Sequence, residues 1–250
     1  MAFGAFVIGD EILLGKRQDK HLGFLAGALA KRSLRLAWCQ YLGDDPVRLT
    51  AALRVSFASG DIVFSFGGIG ATPDDHTRQC AAAALGVPLE LHPEAEREIR
   101  GRFGAQTTPQ RLKMGEFPAG AEIIPNPFNR IPGFAIRAHW FVPGFPQMAW
   151  PMVEWVLDTK YRHLADRDRW AEASVIVYGL AESEIAPLME QVNARYAGVK
   201  AFSLPSMGED GSRRHIELGV RGAPSEVGPA MEDLRHGVVA LGGSLSAVER

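Results

Sequence analysis

The sequence predicts an α/β fold: a three-layer α/β/α sandwich around a mostly parallel sheet, followed by a small α+β domain. Three observations carry this. Short apolar runs alternate with helix-periodic segments through the first hundred residues, the pattern of strand–helix–strand units. The run at 61–66 is apolar nearly throughout, as a strand covered on both faces should be. After a charged stretch at 161–170, "YRHLADRDRW", the strand–helix pattern restarts on a smaller scale.

The elements follow in order. Phe6, Val7 and Ile8 form a short buried strand ending at Gly9. Asp19 is placed to cap a helix whose Leu22, Leu25, Ala26 and Leu29 repeat at i, i+3, i+4 and i+7. Residues 36–42 form a second strand. Asp45 followed by Pro46 is an N-cap with proline in the first helical position. The helix it opens turns Leu49, Ala52, Leu53 and Phe57 inward. Residues 61–66 form the third strand. A third helix stops near Gly86, with Pro88 beyond it, and Pro93 begins a charged helix over 94–102. Residues 104–146 are rich in proline and glycine and predict short strands and loops at the rim of the sheet. Residues 148–157 return to a helix.

The first domain is expected over 1–165 and the second over 171–250, joined by the charged linker. In the second, residues 175–177 are a strand and Ser183 caps a helix to Arg195. Strands at 199–204 and 216–220 flank a hairpin turn, "GEDGS", and a last helix runs over 224–241. Residues 208–211 spell G-x-x-G, the loop of some RNA binders, but Glu209 and Asp210 would repel a phosphate backbone.

Composition narrows the function classes. The 250 residues are 46% hydrophobic and 22% charged, ordinary for a soluble chain that can bury a core. No apolar run approaches the ~20 residues that span a bilayer, and the N-terminus lacks a basic signal region. The expectation is a cytoplasmic protein with no membrane partner. A net charge of −2 argues against nucleic acid as partner. Two cysteines, Cys39 and Cys80, without C-x-x-C spacing, argue against a zinc site or a disulfide framework.

The stretch 64–80, "FSFGGIGATPDDHTRQC", is the candidate site. Glycines let backbone approach a ligand closely, and the helix that follows presents amides and a positive dipole end suited to phosphate. Asp74 or Asp75 would then hold a divalent metal bridging to phosphate oxygens. The same residues read equally as a capping box, with Thr72 as N-cap, Pro73 next and Asp75 reaching back. There is no G-x-x-x-x-G-K-[ST], and Gly68-Ile69-Gly70 lacks the third glycine of a dinucleotide fingerprint. Gly9, Gly43 and Gly67 each end an apolar strand, which predicts one crevice at neighbouring strand ends. His21 and His76 are further candidates for metal or phosphate, His139 reads as structural, and Met148, Met152 and Val156 read as core or interface.

Four motifs occur in order: "VIGDEILLG" (7–15), "LGDDPVRL" (42–49), "GGIGATPDDHTR" (67–78) and "VPGFP" (142–146). Together they resemble the molybdopterin-binding domain that opens the competence/damage-inducible protein A (CinA) family, a domain similar to the enzymes that insert molybdenum into molybdopterin. The resemblance covers residues 3–160. "YGLAESEIAPL" (178–188) also resembles the family's middle domain. The resemblance implies a nucleotide-like or pterin-phosphate ligand, molybdopterin among them, and metal-dependent pyrophosphate hydrolysis of ADP-ribose or FAD with magnesium or a transition metal. It implies a ligand turn of Gly67, Gly68, Gly70 and Thr72, with Asp75 and Asp74 as catalytic and metal-holding acids. Asp10, Glu11 and Asp44 match the acids of the first two motifs, and Pro143 and Gly144 the rim loop. A homo-oligomer is expected. The alternative function is ligand binding without turnover, or an oligomeric scaffold.

The sequence departs from the family pattern in places. Asp19-Lys20-His21 replaces Asp-Thr-Asn, Lys113-Met114-Gly115 replaces Lys-Gln-Ala, and Ala71 replaces proline. With the sequence ending at Arg250, the family's C-terminal nicotinamide mononucleotide deamidase domain is expected to be absent.

Overall fold

The computed structural model describes residues 1–164, 171–208 and 213–248. By contact it divides into two units, Met1–Leu164 and Ala165–Arg250.

In the first unit, β1 (Phe3–Ile8) is flanked by β2 (Leu36–Leu42) and β3 (Ile62–Phe66), both parallel to it. The sheet continues through β8 (His139–Val142), parallel to β3, and then β7 (Gly133–Ile136) and β6 (Glu122–Ile124), which run antiparallel. The order is β2-β1-β3-β8-β7-β6. A separate two-stranded sheet pairs β4 (Leu89–Leu91) with β5 (Glu116–Pro118), and a one-turn helix, α6 (Pro109–Leu112), lies between them in the chain.

Alternation along β1 makes the three layers. Phe3, Ala5 and Val7 pack against Leu25 and Leu29 of α2 (His21–Ala30) and Met152, Val153 and Val156 of α7 (Pro146–Lys160). Phe6 and Ile8 point to the opposite face. There they meet Leu49, Leu53 and Phe57 of α3 (Pro46–Ser59), Ala81 of α4 (Thr77–Leu85) and Ala95 of α5 (Pro93–Phe103). A strand buried on both faces needs apolar residues at every position, and β1 and β3 have every residue buried.

Most elements fall where periodicity places them, and the Asp45 carboxylate caps α3 through the Arg48 amide. Four expectations change. Residues 104–146 are not confined to the rim, because β8 is a fully buried member of the sheet. Pro125, Pro127, Pro132, Pro143 and Gly144 lie in the loops before β7 and after β8, and a tight turn with Arg137 at φ 55° joins the two strands. The helix after the glycine turn starts at Thr77 and not at Pro73, so 72–76 is an irregular turn. Asp19 caps α2 from one position before the N-cap Lys20, accepting from the His21 and Leu22 amides. In the same helix Ala26 faces solvent, while His21 and Ala28 join the buried face.

The second unit carries an antiparallel sheet of order β10-β11-β9-β12, made from β9 (Ala171–Tyr178), β10 (Val199–Ser206), β11 (His215–Gly222) and β12 (Ser244–Ser246). Its core joins Val175, Val177 and Leu218 to Ile185 and Val192 of α8 (Glu182–Arg195) and Leu234 and Val238 of α9 (Pro224–Ala240). Ser183 lies inside the first turn of α8. Ala181 takes the N-cap position instead, and its amide donates to the Glu184 carboxylate at 2.7 Å, the reach-back half of a capping box. The charged stretch at 165–170 and the G-x-x-G turn at 209–212 lie outside the described residues.

Candidate functional site

Four parallel strands end side by side, and each end turns sharply. β1 runs into Gly9, β2 into Gly43, β3 into Gly67 and β8 into Pro143 and Gly144. The Gly9 amide donates to the Leu42 carbonyl and the Gly67 amide to the Val142 carbonyl, both at 3.0 Å. These turns surround one cavity of about 430 Å³ at the carboxyl ends of the strands, the usual ligand position in open parallel sheets.

Gly67, Gly68, Gly70, Thr72, Asp74, Asp75, Glu11, Asp44, Pro143 and Gly144 all line this cavity. Asp10 does not. It opens a one-turn helix, α1 (Asp10–Leu13), and its Oδ1 accepts from the Asp44 amide at 3.1 Å while Asp44 Oδ2 accepts from the Asp10 amide at 2.9 Å. This reciprocal pair ties the turn after β1 to the turn after β2. It also brings two carboxylates together. Burial, then the charges of Asp10, Glu11 and Asp74, push the Asp44 carboxyl above its ordinary value, against the Asp10 amide bond.

The glycine turn is fixed from below. Gly67 and Gly68 have φ of 102° and 67°, which only glycine adopts readily. A Cβ on Gly67 would collide with the Ile8 carbonyl, and one on Gly68 with the Thr77 hydroxyl. The turn therefore needs glycine for its own packing, whether or not a ligand approaches. Thr77 is fully buried and clamps it, its amide donating to the Gly68 carbonyl at 3.0 Å and its hydroxyl to the Gly67 carbonyl at 3.1 Å. Arg78, 2% exposed, donates from its guanidinium to the carbonyls of Gly70, Lys113 and Glu116. Burial lowers its pKa, opposed by the nearby Glu116 and Asp75 charges.

Asp75 reaches back as a capping box would. Its Oδ2 accepts from the Thr72 amide at 2.8 Å and from the Thr72 hydroxyl. Only the place differs, because this closes the turn and not the helix. The nearness of that hydroxyl and Asp74's own amide hold the Asp74 carboxyl below its ordinary range. Among the described residues Asp75 Oδ1 has no hydrogen-bond partner, and no three His, Cys, Asp or Glu side chains form a metal cluster.

His21, a candidate for metal or phosphate from its place at a helix start, is buried and does not line the cavity. Its Nε2 donates to the Gly144 carbonyl at 3.1 Å, and its ring stacks on Phe66 with centroids 4.4 Å apart. It holds the loop after β8 against the end of β3. Burial lowers its pKa, opposed by the Gly144 carbonyl and the Asp19 charge. His76 sits at the N-cap of α4 and does not line the cavity. His139 lies in the core with Nε2 2.7 Å from the Ser56 hydroxyl, its pKa lowered by burial to about 4.

Sequence reasoning missed the far wall. Met114, Asn126, Asn129, Ile131, Pro132 and Phe145 line the cavity, with Arg17. So does Met148, which separates from Met152 and Val156 in the core. The loop 125–132 reaches the site because β7 runs antiparallel to β8, so its start lies beside the end of β8. That pairing, and not any residue pattern, brings these side chains in.

Residues 4–163 match the family model described as "Probable molybdopterin binding domain". A CinA-like protein of Anaeromyxobacter sp. (strain Fw109-5) is 33% identical over 254 residues, covering 93% of this chain and 62% of its own length. A CinA-like protein of Geobacter metallireducens is 32% identical over 200 residues, covering 77% of this chain and 48% of its own. The chain thus spans less than two thirds of these relatives. The crystal structure of CinA from Thermoplasma acidophilum, a protein described as of unknown function, superposes with a TM-score of 0.58 at 28% identity, over 63% of this chain and 98% of that one. The chain belongs to the molybdopterin-binding domain family, as one of its CinA-like members.

Proposed function

We propose that the cavity binds a phosphate-bearing nucleotide or pterin and, with a divalent metal, hydrolyses the diphosphate of ADP-ribose or FAD. The observation that carries this is the charge of the wall. Glu11, Asp44, Asp74 and Asp75 face one guanidinium, that of Arg17. A diphosphate does not enter such a site alone, but it does enter with a cation. The donor set fits a metal brought with its ligand, since magnesium is commonly held by one or two carboxylates plus phosphate oxygens. Asp75, through its unpartnered Oδ1, and Asp74 would hold it. When bound, the metal neutralises the phosphates and favours attack by water.

The remaining roles belong to the chain. The glycine turn, clamped by Thr77 and Arg78, gives the phosphates a fixed surface. His21 fixes the opposite edge through Gly144. Water attacks one phosphorus, the bridging P–O bond breaks, and the products are AMP with ribose 5-phosphate or with FMN.

A second reading, capture without turnover, is favoured by the tie between Asp75 Oδ2 and Thr72, which removes one carboxylate oxygen from chemistry. Release of AMP from ADP-ribose and FAD, assayed with magnesium, manganese, nickel and cobalt, tests the proposal. AMP formed with a metal and not with chelator supports hydrolysis. Tight binding with no AMP under any metal supports capture, and neither outcome removes the reading of the cavity as a phosphate site.

A further inference from the structure

The two sides of the cavity differ in kind. The carboxylates lie at the ends of β1 and β2 and in the turn after β3, whereas the lining residues between 114 and 148 include no charged side chain. On that neutral wall the polar side chains are Asn126 and Asn129, set among Met114, Ile131 and Met148.

The orientation of both amides follows from backbone donors. Asn126 is 5% exposed, and its Oδ1 accepts from the Phe128 amide at 3.0 Å. Its Nδ2 must therefore be the donor, and it gives both protons away, to the Ile131 carbonyl at 2.9 Å and to Asn129 Oδ1 at 2.8 Å. Asn129 Oδ1 also accepts from the Ile131 amide at 3.0 Å. Two donors on one oxygen prevent the Asn129 amide from flipping. Its Nδ2 is left facing Met148 Sδ at 3.2 Å, a weak acceptor. The second Nδ2 proton has no protein partner among the described residues. Both protons of the Asn126 amide are thus taken, one of them in aiming Asn129. Asn129 is a fixed, under-used donor on an otherwise apolar wall whose methionines suit a flat ring.

We propose that Asn129 determines ligand specificity, its Nδ2 donating to a hydrogen-bond acceptor on the uncharged ring of a ligand whose phosphates lie against the glycine turn. The proposal rests on the reading of the cavity as a phosphate site. It adds that the ligand is two-ended, and that its ring carries a nitrogen or carbonyl acceptor. A site built to hydrogen-bond a polar atom discriminates strongly against ligands lacking it, because its donor is then left unpaired.

The test compares two probes that differ only by a ring, AMP and ribose 5-phosphate, titrated calorimetrically with magnesium into the full chain. The wild type is expected to bind AMP more tightly. Asn129→Asp keeps an oxygen for the Ile131 amide and for Asn126 while removing the donor, and should weaken AMP by about tenfold or more, one lost hydrogen bond with its partner left unpaired. Ribose 5-phosphate should weaken by less than AMP, since the added charge acts on both phosphates while only AMP loses the donor to its ring. If the aspartate variant does not fold, Asn129→Ala gives the same readout, because the ratio of the two affinities cancels a general loosening of the site. An unchanged ratio in the folded variants overturns the proposal. Equal wild-type affinity for both probes overturns it too and leaves the phosphate reading standing. No binding of either probe overturns both.

Discussion

The glycine–acid wall is held by the protein's own bonds, while the wall from Met114 to Met148 leaves a donor facing sulfur. At the first, Thr77 clamps the turn, Arg78 ties it to 113–116, and Asp75 closes it onto Thr72. At the second, Asn126 donates to Asn129 and aims it, while its other bonds go to the loop backbone at Phe128 and Ile131. The difference separates two meanings of a site residue. Substitution of the residues that hold the first wall, Gly67 and Arg78, should damage the fold together with any function. Substitution of Asn129 on the second should alter what binds and leave the fold nearly as stable.

The largest expected effect is that of Gly67→Ala. A positive φ and a collision with the Ile8 carbonyl make alanine strained there, and about 2–4 kcal/mol of stability should be lost. Urea denaturation of this variant against wild type measures it. A loss under about 0.5 kcal/mol would mean that glycine is present for the ligand and not for the fold. Arg78→Met comes next. It strips the donor from three carbonyls around a buried position, for an expected loss of about 2–3 kcal/mol by the same measurement. A neutral result would show that the two segments are held together by packing alone.

The third effect is smaller and depends on pH. His21 has its folded pKa lowered below the ordinary 6.5, chiefly by burial. The unfolded chain then takes a proton first as pH falls below 6.5, so stability present above that pH is lost through the window beneath it. His139, also lowered, contributes to the same acid loss, so the difference between variants is the readout. His21→Asn should lose less stability than wild type between pH 7 and 5, by thermal melts at each pH. Parallel melting curves for the two proteins would show that His21 takes up its proton as readily folded as unfolded, so that burial does not lower its pKa.

The parallel half of the fold was legible because its signals are local. Asp45-Pro46 caps a helix, Gly86 stops one, and continuous apolar runs make β1 and β3. The acids and glycines were legible for the same reason, each lying within nine residues of a strand end. The part of the sheet beyond β3 was not. Four-residue strands such as β7 and β8 leave too short a pattern to separate from the proline-rich loops around them. Asn129 reaches the cavity only through the pairing of β7 with β8, and Thr77 reads as an ordinary helix residue until Gly67 is seen beneath it. The capping-box pattern places the start of α4 four residues too early, because Asp75 does reach back to the Thr72 amide although the helix begins only at Thr77.

The claim that Asp75 serves chemistry as well as closing its turn is tested most directly by AMP release from ADP-ribose with magnesium, wild type against Asp75→Asn. Asparagine keeps an oxygen for the Thr72 amide, so loss of charge at the turn should cost only about 0.3–1 kcal/mol and a melting temperature within about 4 °C of wild type. A neutral amide is a poor ligand for a hard cation, and hydrolysis should fall at least about a hundredfold. An asparagine variant that releases AMP at the wild-type rate would contradict the account and leave Asp75 with the turn alone.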